Sequence, residues 1–448
     1  MEREPHAKII SCNTNSEEVC ASAARISTTA GDAQEIFENA RGNPKNRALI
    51  GKVLASGHKS LIEHAAFTIA LRDVSVFAEQ FFIECRLASF TVKSRRYVDF
   101  SKLGYHIPHG LEGEDLALYR RYMDGLFEAY GDLLEAGVPR EDARFLLPSA
   151  FHSNFYCTLN ARELCRLLGQ IRYGRGRGIP ELQNLADELT GQLEERFPFL
   201  LPELQQAQGE EPAGEAPSFR CSSGAPVYLS RQEAGAVALL SAPTEPLKLL
   251  EAACRLQYPG EAFDLDGLTA SRRPRELEQL AYTFTISNVT LSGVTHLVRH
   301  RMQSIVVPSI QSVDHSRVIL PDTVASGPAL ERYQRAVEDA HSRLLQLRQR
   351  PALAKYHYYF ALSGNLMDIM TTMNARELQW FIRLRSCNRA QWEVRDIAVE
   401  LLRQLRHSFP ALFDRFGPSC FADGRCPEGR LTCGQMSEVV QRFKHLEA

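Results

Sequence analysis

The strongest constraint on this chain is that it contains the same pattern twice. Phe67-Thr68-Ile69 matches Phe284-Thr285-Ile286, and Leu159-Asn160-Ala161-Arg162-Glu163-Leu164 matches Met373-Asn374-Ala375-Arg376-Glu377-Leu378. The register between matches holds. Arg86 to Ser94 and Arg301 to Ser309 are both eight apart, Arg86 to Asn160 is 74 residues and Arg301 to Asn374 is 73. Glu181 to Phe197 and Glu393 to Phe409 are both sixteen apart. Two domain-sized copies are too few and too long for a stacked helical array. The 448 residues also exceed the length of about 250–300 at which a single core stops growing. Two homologous domains are predicted.

Within each copy the order is strand, cap, helix, arginine. Ala65–Leu71 reads as a strand, with Ser75 as N-cap of the next helix; Tyr282–Ile286 alternates as a strand, with Thr290 capping a helix that ends at Arg299-His300-Arg301. Helical spacing also marks Leu116–Ala136 and Ala161–Ile171. Residues 201–226 lose periodicity and are rich in Pro, Gly, Ala and Glu, as in a linker. The expected layout is an N-terminal domain over 1–200, a linker over 201–226, a C-terminal domain over 227–416 and a cysteine-containing tail over 417–448.

Charge narrows the function. Lys+Arg 52 against Asp+Glu 54 leaves a formal charge of −2, so no global field favours nucleic acid, and an anion site has to be a local cluster. Arg299-His300-Arg301 is such a cluster. Its fork of donors suits a nucleotide phosphate, although on the triplet alone a solvated basic helix end fits as well. No apolar run of about 18 residues marks a membrane span, and charges interrupt the N-terminus where a secretion signal needs an apolar core. A cytoplasmic protein is expected. Eleven cysteines, mostly single on apolar faces as at Cys85, Cys157 and Cys165, suit reduced thiols. Cys420, Cys426 and Cys433 lie six and seven apart in the tail, which is not a CxxC zinc pattern. With no fourth ligand evident, no metal is expected.

The stretch RHRMQSIVVPS resembles the R-H-R, seven residues, S signature of the flavin-dependent thymidylate synthases. NARELQWFIRLRSCNRAQWEV resembles that family's second conserved block, and GHKSLIEHAAFTI, ASFTVKSRRY, GVPREDARFLLP and NAREL extend the resemblance to the N-terminal half. It implies an α/β (α+β) fold of two domains, each a mainly antiparallel sheet packed with helices. A tandem copy then looks like an intramolecular pseudo-dimer, and a homodimer of the fused chain like the family tetramer. The implied activity is FAD-dependent reductive methylation of dUMP to dTMP, with methylene-tetrahydrofolate and NADPH as co-substrates. Related one-carbon transfer to another pyrimidine nucleotide, or flavin and nucleotide binding without turnover, stay open.

Carried over position by position, the resemblance divides the labour between halves. Arg299, His300, Arg301, Asn374 and Arg376 match flavin-binding positions, with Arg385 placed to stabilise charge on the uracil. His296, Arg299 and Arg385 match positions at the base. The N-terminal triplet reads Glu84-Cys85-Arg86, and Arg172 is displaced by one position relative to Arg385. The phosphate-gripping positions erode the other way: Ser94, Arg95, Arg96 and Arg144 persist, whereas the C-terminal half has Ser309, Ile310, Gln311 and, for Arg144, Tyr358. His58 and Ser60 match positions at the folate and flavin end, with Arg273 and Arg275 as C-terminal counterparts. Each half has lost what the other retains, which implies one composite site per fused pair. Three positions depart from the family pattern: Val92 and Val307 replace a glutamate, His296 a glutamine and Trp380 an asparagine.

Overall fold

The computed structural model describes residues 3–206, 218–271 and 274–446. Most of the expected linker, 207–217, and Arg273 lie outside the described residues. Within that expected linker, Leu201–Gln206 is helical, and Glu203 there is paired with Lys59 at 2.9 Å. The chain divides into two compact units, one of Met1–Gly131, Leu147–Ser218 and Gln346–Phe360, the other of Asp132–Leu146, Phe219–Leu345 and Ala361–Ala448. Each unit therefore takes one short segment from the opposite half of the sequence. The segment holding Arg144 belongs to the second unit, and the one holding its counterpart Tyr358 belongs to the first.

The first unit has a four-stranded antiparallel sheet of β1 (His6–Cys12), β2 (Ala66–Ser75), β3 (Ala88–Val92) and β4 (His152–Asn160), in the order β1-β2-β4-β3. In the second unit β5 (Val227–Leu229) pairs in parallel with β9 (Arg317–Ile319). Its main sheet contains β6 (Ala236–Ser241), β7 (Ala281–Thr290), β8 (Ser304–Val306) and β10 (Leu366–Asn374), antiparallel in the order β6-β7-β10-β8. The two main sheets have one topology, as the repeat predicts, and the fold is the mixed α/β class with antiparallel sheets.

The match reaches individual backbone features. Asn160 sits opposite Ala66, and Asn374 opposite Ala281. Each asparagine then caps a helix: Asn160 Oδ1 accepts from Glu163 N at 2.9 Å to start Ala161–Arg172, and Asn374 Oδ1 accepts from Glu377 N at 2.8 Å to start Ala375–Arg385. β2 and β7 both kink near their ends at a residue with positive φ, Asp73 at 53° and Asn288 at 57°. A side chain on the neighbouring strand accepts the freed N–H in each, Asn154 for Asp73 and Asp368 for Asn288.

Both strands end at the predicted caps. Ser75 Oγ accepts from Ala78 N at 3.0 Å, and Thr290 Oγ1 from Gly293 N at 2.9 Å. The helices that follow, Val76–Ile83 and Leu291–Leu297, are almost wholly buried; their first two N–H groups bond to backbone carbonyls, and the N–H and hydroxyl of each cap residue are left to be satisfied away from water. A buried carboxylate from a distant helix supplies the acceptor. Glu181, on helix Pro180–Arg196, takes the Ser75 N–H at 2.7 Å and its hydroxyl, while Glu393, on helix Trp392–Ser408, takes the Thr290 N–H at 2.7 Å and hydroxyl at 2.6 Å. Tyr359 adds a third donor to Glu181 at 2.8 Å. No helix among the described residues is long and apolar enough to cross a membrane.

Removing the Glu181 carboxylate strands three buried donors. Glu181→Ala is expected to cost about 3 kcal/mol in denaturant unfolding, whereas Glu195→Ala, exposed on the same helix, stays within about 0.5 kcal/mol. Equal effects would remove the carboxylate from its role in holding the helix.

Candidate active site

Helix Leu291–Leu297 stops before the triplet, not at Arg301 as the sequence pattern suggests. Residues 298–302 turn, and the reason lies in the middle side chain. A helix continued through Arg301 would step each side chain about 100° round its axis. The turn instead sends His300 into the interior and leaves Arg299 and Arg301 exposed. His300 acts as a peg that orients the two guanidinium groups outward.

The peg is held on three sides. His300 Nδ1 lies 3.0 Å from Glu377 Oε1, its Nε2 lies 2.9 Å from Arg385 Nε, and Phe381 packs edge-on with centroids 4.8 Å apart. A guanidinium nitrogen only donates, so His300 Nε2 accepts and its ring hydrogen sits on Nδ1, donating to Glu377. Burial lowers the His300 pKa first, the Glu377 hydrogen bond opposes that shift, and the neutral ring is the form this geometry requires. Arg385 also donates to the His296 carbonyl at 3.1 Å. The residue expected to meet the base is thus held by His300 of the triplet and by the His296 carbonyl three residues before it.

The first unit shows what the same scaffold becomes without the triplet. At the place of His300, Cys85 Sγ donates to Glu163 at 3.3 Å, and Arg166 reaches the same carboxylate at 3.1 Å. At the place of Arg299, Glu84 is bonded to Gln80 and paired with Arg175. Arg172 points to Asp187 at 2.9 Å and Thr190 at 3.0 Å, with no part in holding Cys85. The arginine of each N-A-R segment pairs with a glutamate just before its β2 or β7 strand, Arg162 with Glu63 and Arg376 with Glu278.

In the second unit Asn374 and Arg376 open onto a cleft of about 950 Å³. Its other walls include Glu278, Arg383 and the exposed side chains of Met302 and Trp380. The tail beyond the repeat closes one side with Asp423, Arg425 and Pro427, and Arg383 is tied to Asp423 at 3.2 Å. Sequence reasoning missed the tail, because nothing in its pattern couples it to the N-A-R helix. An exposed aromatic, several guanidinium groups and side-chain amides are a donor set that fits a dinucleotide with a planar ring.

The segment expected to grip a phosphate divides. Arg95 is buried, ion-paired with Glu79 at 2.5 Å and stacked over Phe151 with its guanidinium 5.1 Å from the ring centroid. Ser153 donates to the same Glu79 carboxylate. Arg95 departs from the expectation because Glu79 is fully buried and needs a charged partner more than the solvent-side anion does. Ser94 and Arg96 remain partly exposed. Arg144, in the second unit, is buried, donates to the Glu141 carbonyl at 3.1 Å and lowers the pKa of Glu393 through its charge. His58 and Ser60 are exposed around the short helical turn Lys59–His64, and Arg275 lies at the exposed start of the matching turn Arg275–Gln279.

A duplicated antiparallel scaffold with an arginine-histidine-arginine turn in one copy defines a class, and the comparisons agree. The family model described as Thymidylate synthase complementing protein matches twice, over residues 8–199 and 238–411. The chain belongs to the flavin-dependent thymidylate synthase family, as a tandem duplicate, and is an enzyme of the methyltransferase class. It is 32% identical over 232 residues to the flavin-dependent thymidylate synthase of Geobacter sulfurreducens, covering 47% of this chain and 98% of that protein. The Clostridium tetani enzyme of the same name is 33% identical over 37% of this chain and 74% of its own length. That of Nitratidesulfovibrio vulgaris is 32% identical over 44% of this chain and 94% of its own. A solved UMP/dUMP methylase from Streptomyces cacaoi, bound with 5-Br dUMP, covers 47% of this chain and 99% of itself at 23% identity and TM-score 0.40.

Glu393 makes the second unit sensitive to pH. Burial, the largest cause, pushes its carboxyl from 4.5 up to about 7, against the Thr290 hydrogen bonds and the Arg144 charge, which lower it. A pKa raised on folding means that the folded state holds the proton more tightly. This contribution to stability is full below the unfolded pKa of 4.5 and is lost as pH rises towards about 7. Glu393→Gln is expected to flatten that decline, by about 3 kcal/mol at most. Denaturant melts at about pH 5 and about pH 8 check it; a stability gap between wild type and variant that does not change with pH would count against the assignment.

Proposed function

We propose that the protein methylates dUMP to dTMP reductively, with FAD as cofactor, methylene-tetrahydrofolate as one-carbon donor and NADPH as reductant. The observation that carries this reading is the sorting of residues between copies. The second copy keeps Arg299, His300, Arg301 and Arg385, with His300 bonded to Glu377 and Arg385, beside the Asn374 and Arg376 cleft. The first has rebuilt the places of Arg299 and His300 with internal pairs, at Glu84 and Cys85. The phosphate-gripping residues survive in the first copy, at Ser94, Arg96 and Arg144. One functional site then draws its flavin and base contacts from the C-terminal half and its phosphate contacts from the N-terminal half.

In this reading Asn374, Arg376 and Arg301 hold the flavin, and bound flavin supplies hydride transfer. Arg299 and His296 serve the nucleotide. Arg385, kept in place by His300 and the His296 carbonyl, faces the base and stabilises negative charge developing there. Ser94 and Arg96 bind the 5′-phosphate with hydroxyl and charge-assisted donors, and Arg144 supports them. His58 and Ser60 serve the folate and flavin end. Two fused chains stand in for the family's four subunits, so the protein is a homodimer.

Purified protein is expected to carry about one FAD per chain. Arg301→Ala loses the flavin absorbance and Arg86→Ala keeps it; equal loss from both would end the asymmetric assignment. Arg96→Ala is expected to weaken dUMP binding by about tenfold or more, while Gln311→Ala leaves it within about twofold. Tritium release from 5-tritiated dUMP with folate and NADPH tests the reaction itself. The valines at 92 and 307, where the family pattern has glutamate, are equally compatible with lost activity, a different one-carbon outcome or, as a second reading, another pyrimidine nucleotide as the acceptor. Release from that nucleotide and not from dUMP would select it.

A further inference from the structure

The tail that walls the cleft is poorly equipped to hold itself together. From Ser419 to Leu446 it forms helix Ser419–Ala422, the turn Gly429–Leu431 and helix Met436–Lys444, and the only buried side chains in that span are Val439 and Phe443. So small an apolar core does not fix a lobe of this size, and lobes like it are commonly stapled by a metal or by cross-links. The structure supplies what the tail spacing lacked. Cys387, just past helix Ala375–Arg385, lines one small cavity of about 50 Å³ together with Cys420, Cys426 and Cys433.

We infer that Cys387, Cys420, Cys426 and Cys433 form a structural zinc site that fastens the tail to the helix carrying Asn374, Arg376 and Arg385. Four thiols from separated segments that line one small cavity match the ligand set of a closed structural zinc site. All four are partly exposed free thiols, open to metal exchange. Arg383 and Arg389 line the same cavity and offset the double negative charge of a four-thiolate zinc centre. Among the described residues no group of three or more His, Cys, Asp or Glu side chains is placed so that it could hold a metal ion without side-chain movement. The sulfurs close in by rotamer changes as zinc enters, and each thiol gives up its proton to solvent.

This site is independent of the flavin reading, and zinc content can be measured whether or not the protein turns over dUMP. Full-length protein purified without chelators is expected to contain about one zinc per chain by inductively coupled plasma mass spectrometry. A mercurial that blocks thiols should release that zinc to a colorimetric chelator. Cys387→Ser and Cys433→Ser lose the metal, and Cys254→Ser, outside the cavity, retains it. Wild-type protein with no zinc above background after incubation with zinc chloride and desalting would overturn the site. So would disulfides among these four cysteines in non-reduced peptide mapping, or full zinc content in both cluster variants.

Discussion

The interaction on which both units depend is a buried carboxylate set on the N-terminus of a buried helix. Val76–Ile83 and Leu291–Leu297 are almost wholly buried, so the N–H and hydroxyl of their caps, Ser75 and Thr290, cannot turn to water. Glu181 and Glu393 meet them from helices more than a hundred residues further along. That contact locks the end of β2 or β7 to the later helix. It also fixes where the chain emerges from Leu291–Leu297, and therefore where Arg299 and Arg301 stand. Replacing an acceptor of this kind by an apolar side chain would save the desolvation of the charge but lose the hydrogen bonds that define the helix start.

On that common frame the two copies have diverged in how they use one position. His300 and Cys85 occupy matching places, and each bonds to the glutamate three residues after the capping asparagine. A histidine there has a second ring nitrogen to spend on Arg385, so one buried side chain organises a guanidinium beside the triplet. The thiol instead accepts from Arg166 at 3.6 Å, and because Arg166 also bonds Glu163 the network closes internally. The difference at this position is thus a local substitution within an intact fold.

Much of this was legible in the sequence because it rests on local chemistry. Caps at Ser75 and Thr290, the asparagines at 160 and 374 and the strand periods all depend on residues a few positions apart, and the repeat doubled each signal. Features set by tertiary contact were not legible. The end of Leu291–Leu297 before the triplet follows from where His300 must be buried. The inward turn of Arg95 follows from Glu79, sixteen positions earlier. The exchange that puts Arg144 in the second unit and Tyr358 in the first, and the tail's place against the Arg376 cleft, leave no trace in spacing.

The pair of Glu84 and Arg175 also gives the divergence a direction. An oligomer of identical subunits must write every residue into all of its sites at once, whereas a fused chain can edit one copy alone. Here the edit has acquired a dependent: Arg175 bonds Glu84 and lies over Phe81, its guanidinium 4.4 Å from the ring centroid. Restoring an arginine at position 84 would set two cations face to face at a half-buried spot. The ancestral symmetry therefore cannot be regained by retracing a single step, and the pair works as a ratchet that keeps the two copies apart.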